Sequence, residues 1–200
     1  MNIVILTFEG FNELDSFIAL GVLNRISRPG RHVRICCPAA SVTSMNGVTV
    51  SAQCDLSAVK TADVVLVGSG MKTRDVARDA SIMDALALDP SRQLVGAQCS
   101  GTLILARLGL LDGIPACTDL TTKPWVEEAG VEVLAQPFHA NGNIATAGGC
   151  LASSYLAAWV IAKTEGIGAA EDALYYVAPV GEKEAFVARA MGHIRRSLTA

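Results

Sequence analysis

Between Gln93 and Ala106 an apolar run, Leu94-Val95-Gly96-Ala97, stops at Gln98-Cys99, and a helix-compatible run starts at once with Ser100, Gly101 and Thr102. A buried strand that turns into a helix without an intervening loop constrains the fold strongly, because it belongs to sheets whose strands are crossed over by helices. A cysteine at such a turn occupies a nucleophile elbow, here of the form x-x-C-S-G rather than G-x-S-x-G. Its thiol would face unpaired N–H groups and the positive end of a helix dipole, which favour the thiolate. The alternative is a structural cysteine, since free cysteines are among the most often buried residues. The strand-to-helix context favours the reactive reading.

Taken in order, the rest of the chain repeats this alternation. Asn2 to Thr7 reads as a buried strand, and Asn12 caps a helix that presents Leu14, Phe17, Ile18, Val22 and Leu23. His32 to Cys37 is a second strand, stopped by Pro38. Val42 to Ser51 holds two β-rich arms around Asn46-Gly47, a strong hairpin signal. Asp63 to Val67 is a continuous apolar strand of the type buried on both faces, followed by Gly68-Ser69-Gly70. A helix is expected over Thr73 to Leu88 and another from Ser100 to Arg107. Beyond these come a short strand at Ile114 to Thr118 and a helix at Thr122 to Ala129 with Pro124 in its first turn. Strands at Val131 to Ala135 and Asn143 to Thr146 would flank a turn at Asn141-Gly142. A long apolar helix runs from Gly148-Gly149 to Ala162, and two amphipathic helices, Ala169 to Tyr176 and Glu182 to Ser197, complete the chain. The pattern implies one α/β domain over residues 1–200. Its architecture is a doubly wound, flavodoxin-like sandwich: a mostly parallel central sheet with helices on both faces and a β-hairpin excursion.

Several function classes fall away. The 16 Lys and Arg against 19 Asp and Glu give a net charge of -3, with no basic run to meet nucleic acid. Apolar residues make up 51% of the chain, yet Gly, Pro or a charge breaks every apolar run before the roughly 20 residues a membrane helix needs. No basic, small-residue-terminated leader opens the sequence, so a soluble, cytoplasmic protein with no membrane partner is expected. Six cysteines in such a chain read as reduced thiols. No Cys-x-x-Cys spacing occurs and the three histidines are scattered, so no metal is expected. Gly68 to Thr73 lacks the spacing of a phosphate loop, and no cofactor is expected.

In a doubly wound sheet the working site lies beyond the C-terminal strand ends, which here are Thr7, Val67 and Gln98. That rule gathers Cys99, the acidic pair Glu13 and Asp15, and the Gly68-Ser69-Gly70 loop. Residues two apart on a helix diverge, so one carboxylate of the pair points at the thiol; we assign this to Asp15. Asp15 could equally serve as first-turn negative charge on its helix. Cys150, after two glycines, is either a small buried residue or a second thiol near the site. His139 is expected in an exposed turn, and Trp125 and Trp159 in packing.

Four blocks then carry a resemblance: Phe8-Glu9-Gly10-Phe11-Asn12-Glu13-Leu14-Asp15, Asp63 through Gly70, Gln98-Cys99-Ser100-Gly101, and Thr146-Ala147-Gly148-Gly149. In this order the chain resembles the PfpI family, the family of the parkinsonism-associated protein DJ-one, within the class I glutamine amidotransferase-like superfamily. It looks most similar to the isonitrile hydratase-like members and to the amidase-like sensor domains of AraC-type regulators. The family's acidic residue falls on Asp15, its cysteine on Cys99 and its following hydroxyl residue on Ser100. Protease-type members have a histidine directly after the cysteine; Ser100 stands there, so a protease is not implied. Asp119 stands where many relatives have a histidine, and Gly68-Ser69-Gly70 replaces the usual Pro-Gly-Gly.

The resemblance implies an enzyme in which Cys99 and Asp15 attack a small-molecule electrophile. An isonitrile hydratase-like lyase is the reading, with backbone N–H groups of Gly70 and Ser100 holding developing negative charge. Glu13, Asp119 and Cys150 would support the site from the next layer. The alternative is a non-catalytic redox or ligand sensor with an oxidisable Cys99. A homodimer is expected, with the apolar first helix compatible with the contact.

Overall fold

A computed structural model describes residues 1–198. Its six-stranded sheet is built from β1 (Asn2–Leu6), β2 (His32–Cys36), β5 (Val64–Val67), β6 (Leu94–Gln98), β7 (Phe138–Asn141) and β8 (Ile144–Ala147), in the spatial order β2-β1-β5-β6-β8-β7. Every pairing is parallel except β7 with β8. The apolar run at β5 is buried along its whole length, as a central parallel strand covered on both faces must be. β3 (Ser41–Thr43) and β4 (Thr49–Ser51) form a separate antiparallel hairpin around Asn46-Gly47. The architecture is the expected flavodoxin-like α/β sandwich.

Two apolar layers hold it. On one face, α1 (Glu13–Leu23), α6 (Ser153–Glu165), α7 (Ile167–Val177) and α8 (Lys183–Leu198) pack with Ile3, Ile5, Leu66 and Phe138. On the other, α4 (Gly101–Arg107) and α5 (Lys123–Glu128) pack with Val4, Leu6, Val65, Val67 and Val95. α6 is buried from Ser153 through Ile161, because the sheet lies against one side and α1, α7 and α8 against the others. That is why it reads as apolar rather than amphipathic.

Several elements depart from expectation. Residues 114–118 and 131–135 form no strands; they meet in a single parallel bridge between Ala116 and Val133. The arm that pairs across Asn141-Gly142 is Phe138–Asn141 instead, so His139 is a half-buried strand residue and not an exposed turn residue. Burial lowers the pKa of its imidazole. The helix expected over 73–88 is split into α2 (Thr73–Val76) and α3 (Ala80–Ala85), because the Asp79 side chain accepts from the N–H groups of Ser81 and Ile82 and starts a new helix. A 3₁₀ helix at Leu56–Thr61, capped by Asp55, has no apolar period to announce it. Residues 150–152 form a 3₁₀ turn ahead of α6, set by Gly149 at φ +87°.

Trp159 is fully buried in the first layer. Replacing it with Ala is expected to lower unfolding free energy by about 3–5 kcal/mol, read as an earlier midpoint with unchanged slope in urea denaturation.

Candidate active site

The elbow is visible in the backbone. Cys99 is the one non-glycine residue with positive φ among the described residues, at +46°, a conformation that a side-chain-bearing residue holds only when its surroundings impose it. Here the Cys99 N–H donates to Ala147 O at 2.8 Å and the Cys99 carbonyl accepts from Thr118 Oγ1 at 2.8 Å. Two glycines let the neighbouring segments come this close. A Cβ on Gly101 would lie 2.6 Å from Val67 O, and one on Gly148 would lie 2.2 Å from Thr118 O. Strand end, helix start and flanking loops are thereby drawn onto one thiol.

Asp15 is brought to the same point by α1. Asn12 caps that helix, its side-chain oxygen accepting from Leu14 N–H at 3.1 Å, and Asn12 N–H donates to Ser69 O at 2.9 Å. The Asp15 carboxylate is 1% exposed. It accepts from Ser69 Oγ and, at 3.3 Å, from Ser153 Oγ, and it also meets the thiols of Cys99 and Cys150. Burial raises its pKa, and the hydrogen bonds from Ser69, Cys99, Cys150 and Ser153 oppose that rise.

The thiol is not the ready thiolate expected from a helix start. Cys99 is 4% exposed, and burial followed by repulsion from Asp15 pushes its pKa up. α4 offers a short helix and Ser100 makes no side-chain cap, so desolvation outweighs the dipole. The proton therefore stays on the sulfur, beside a carboxyl group that is itself shifted upward by burial.

The remaining candidates separate. Glu13 faces away from the cluster: it accepts from Ser44 Oγ and from Asn46 Nδ2 at 2.8 Å, tying α1 to the hairpin. Those bonds hold its carboxyl below the usual range, Ser44 first. Gly70 N–H donates to Ser100 Oγ at 3.1 Å, and Ser100 Oγ also bonds Thr73 Oγ1 at 2.8 Å. The Gly70 N–H is thus committed and is withdrawn from the expected oxyanion donors. Asp119 Oδ1 accepts from the N–H groups of Thr121 and Thr122 at 3.0 and 2.9 Å, ahead of α5. A carboxylate in that place orders a turn and has no imidazole to donate.

Cys150 does join the site. Its Sγ accepts from Asn12 Nδ2 at 3.2 Å, and the ligand-type atoms of Asp15, Cys99 and Cys150 all lie within 4.8 Å of one another. Two sulfurs and a carboxylate are also a donor set for a soft divalent ion, yet no metal-type spacing links them in sequence. Ser153 escaped the sequence reading, and Ser69 entered it only as part of the Gly68-Ser69-Gly70 loop. Both are ordinary serines in the sequence, and only the tertiary contact makes them donors to Asp15. Gln98, 3% exposed, donates to Gly149 O at 3.3 Å and leaves its own Oε1 buried without a partner.

A cleft of about 460 Å³ opens over these groups. Met45, Met71 and Trp125 give it apolar walls, Asp119 lies at its edge, and the Arg74 guanidinium sits 4.5 Å over the Trp125 ring. Clefts of about 520 and 480 Å³ elsewhere, beside α1 and α7, are lined by no cysteine, so size alone does not locate the chemistry.

An α/β sandwich with an elbow cysteine against a buried acid defines a recognisable class. The model of the DJ-1/PfpI family matches residues 1–163, and the chain belongs to that family. Among solved structures, DJ-1beta of Drosophila melanogaster is similar at 18% identity and a TM-score of 0.77, over 88% of this chain and 96% of that one. A ThiJ/PfpI family protein from Pseudomonas syringae is 19% identical over 98% and 88% of the two chains, with a TM-score of 0.77. An AraC family transcriptional regulator from Pseudomonas putida is 17% identical over 88% and 99%, at 0.75. At such identities these neighbours speak for the fold. No curated protein sequence matches the chain. Among the described residues no helix is long and apolar enough to cross a membrane.

Because burial raises the Asp15 pKa above its unfolded value, its contribution to stability is full below the unfolded pKa, about 3.9, and is lost as pH rises through the folded pKa. Asp15→Asn removes that titration. The variant should gain stability relative to wild type as pH rises from about 4 toward neutrality, measured as the difference in urea unfolding free energy; a difference flat with pH would contradict the raised pKa.

Proposed function

We propose that this chain is a cysteine-dependent enzyme acting on a small electrophile, with Cys99 as nucleophile and Asp15 as its proton partner. Within the DJ-1/PfpI family we assign it an isonitrile hydratase-like lyase reaction. The observation that carries the reading is the Cys99 thiol on a constrained elbow, lining a cleft and within 4.8 Å of a buried carboxylate.

The chemistry follows from the proton. A thiol whose pKa is raised attacks well only if its proton leaves as the sulfur–carbon bond forms, and Asp15, with a raised pKa of its own, is a fitting acceptor. Cys99 sulfur adds to the terminal carbon of the isonitrile while Asp15 takes the thiol proton and returns it to that carbon, leaving a thioimidate. Water then adds to the same carbon. The carbon–sulfur bond breaks, the proton returns to sulfur, and an N-substituted formamide leaves, so the sum is isonitrile plus water. Ser100 N–H, at the start of α4, is the backbone donor nearest the reacting sulfur in sequence, and Gly70 N–H could join it only if Ser100 Oγ released it. Met45, Met71 and Trp125 suit an apolar substituent on nitrogen.

We further propose a homodimer in which α1 contributes to the contact: Leu14 on that helix and Leu151 beside it are 51% and 71% exposed.

A panel of alkyl isonitriles, assayed for formamide release under reducing conditions, tests the reading. Cys99→Ala should abolish turnover, and Asp15→Asn should lower kcat by about 10²–10⁴-fold, as for removal of a general base. Glu13→Gln, whose partners are in the hairpin, should leave kcat within a few-fold of wild type. A wild-type protein that alkylates at Cys99 but turns over no electrophile would leave the sensor reading in its place.

A further inference from the structure

The reaction above uses one thiol, and a second one stands unused beside it. Cys150 Sγ lies within 4.8 Å of both Cys99 Sγ and the Asp15 carboxylate, and it accepts a hydrogen bond from Asn12 Nδ2. We propose that Cys99 and Cys150 form a dithiol site for hydroperoxides, in which peroxide oxidises Cys99 and Cys150 closes the product to an intramolecular disulfide. The inference goes beyond the hydratase reading and holds whichever electrophile that reaction takes.

The two steps balance without a further reagent. Cys99 sulfur attacks the terminal oxygen of the hydroperoxide, the O–O bond breaks, and Asp15 relays the thiol proton to the leaving oxygen, which departs as an alcohol, or as water from hydrogen peroxide. Sulfur has lost two electrons and is a sulfenic acid. Cys150 sulfur then attacks Cys99 sulfur, the S–O bond breaks, and hydroxide leaves as water with the proton from Cys150. Two thiols and one hydroperoxide have become a disulfide, an alcohol and water. A small-molecule dithiol restores both thiols by exchange.

The geometry assigns the two cysteines different parts. A disulfide needs its sulfurs about 2.0 Å apart, so one thiol must move. The Cys99 backbone cannot, because its N–H and C=O are both bonded and the chain at Gly101 behind it leaves no room even for a Cβ against Val67 O. Cys150 can: it is half-buried, starts a three-residue 3₁₀ turn, and follows Gly149, which sits at φ +87° with open space around it. Asn12 Nδ2 stabilises charge on the Cys150 sulfur as it attacks. Asp15, within 4.8 Å of both sulfurs, is placed to take a proton in each step. The consequence is protection, since the disulfide diverts Cys99 from the sulfinic acid that a second peroxide would make irreversibly. Cys36 and Cys54 supply an internal comparison: they also adjoin, but each thiol donates to a backbone carbonyl and neither lines the cleft.

The experiment treats reduced wild-type protein and Cys150→Ser with a few-fold excess of hydrogen peroxide, blocks free thiols by alkylation, and maps peptides by mass without reduction. Wild type should lose two hydrogens, give a linked peptide containing Cys99 and Cys150, and recover fully with dithiothreitol. Cys150→Ser should instead gain one and then two oxygens at Cys99, with an order of magnitude more sulfinic acid than wild type. Three results overturn the proposal: two added oxygens on Cys99 in wild type with Cys150 still alkylated, a linked peptide joining Cys36 to Cys54 while Cys99 and Cys150 stay free, or no oxidation at either site cysteine. Should Cys150→Ser not fold, the wild-type peptide map decides alone. Formamide release is measured separately under reductant, so its failure and this one are distinguishable.

Discussion

A carboxylate in a nearly dry place is the constraint on which the site depends. Asp15 keeps 1% of its surface exposed, and a buried ion without partners costs several kcal/mol. The structure meets that cost with donors from four different segments: Ser69 after β5, Cys99 at the elbow, Cys150 in the 3₁₀ turn and Ser153 at the start of α6. The elbow is the most tightly held of the four, with both the N–H and the C=O of Cys99 bonded, whereas Cys150 sits on a short turn behind Gly149. The same demand explains the thiol. Beside that carboxylate a thiolate would be a second anion in a dry place, and the proton therefore stays on sulfur until a reaction removes it.

The elbow adds a backbone counterpart to this electrostatic constraint. Holding Cys99 at φ +46° is unfavourable for a residue with a side chain, and it persists because β8 and Thr118 bond both its N–H and its C=O. Those bonds require the chain to approach within contact distance on two sides, at Gly101 and at Gly148. The two glycines thus serve the nucleophile without touching a substrate. Rigid Cys99 and a mobile neighbour across the cleft floor are the two ends of one design, and the difference in their backbone bonding separates the nucleophile from the thiol proposed to answer it.

Where the sequence misled, a side chain had a choice of partners that periodicity does not encode. Glu13 and Asp15 are equivalent acids in the first turn of α1, and the divergence of residues two apart correctly requires them to part. That Glu13 goes to Ser44 and Asn46 depends on where the hairpin lands. Gly70 N–H was a fair oxyanion donor from its loop, but Ser100 Oγ reaches it first. The β-rich letters at 114–118 and 131–135 earn only one bridge because β8 takes the sheet position beside β6, and β7 closes the edge.

What the sequence by itself determined is the part governed by local order. Continuous apolar runs specify strands buried on two faces, the Asn46-Gly47 and Asn141-Gly142 pairs specify tight turns, and the break at Gln98-Cys99 specifies a strand that becomes a helix. Together with the family blocks, these place Cys99 and Asp15 at one crevice. Tertiary structure alone decided the company they keep. Ser69, Ser153, Gln98 and Cys150 lie far apart in the chain and carry no spacing that links them; they become one site because parallel strands deliver their following loops to the same end of the sheet. The protonation of the thiol was likewise decided there, since a helix start is local but desolvation is a property of everything packed around it.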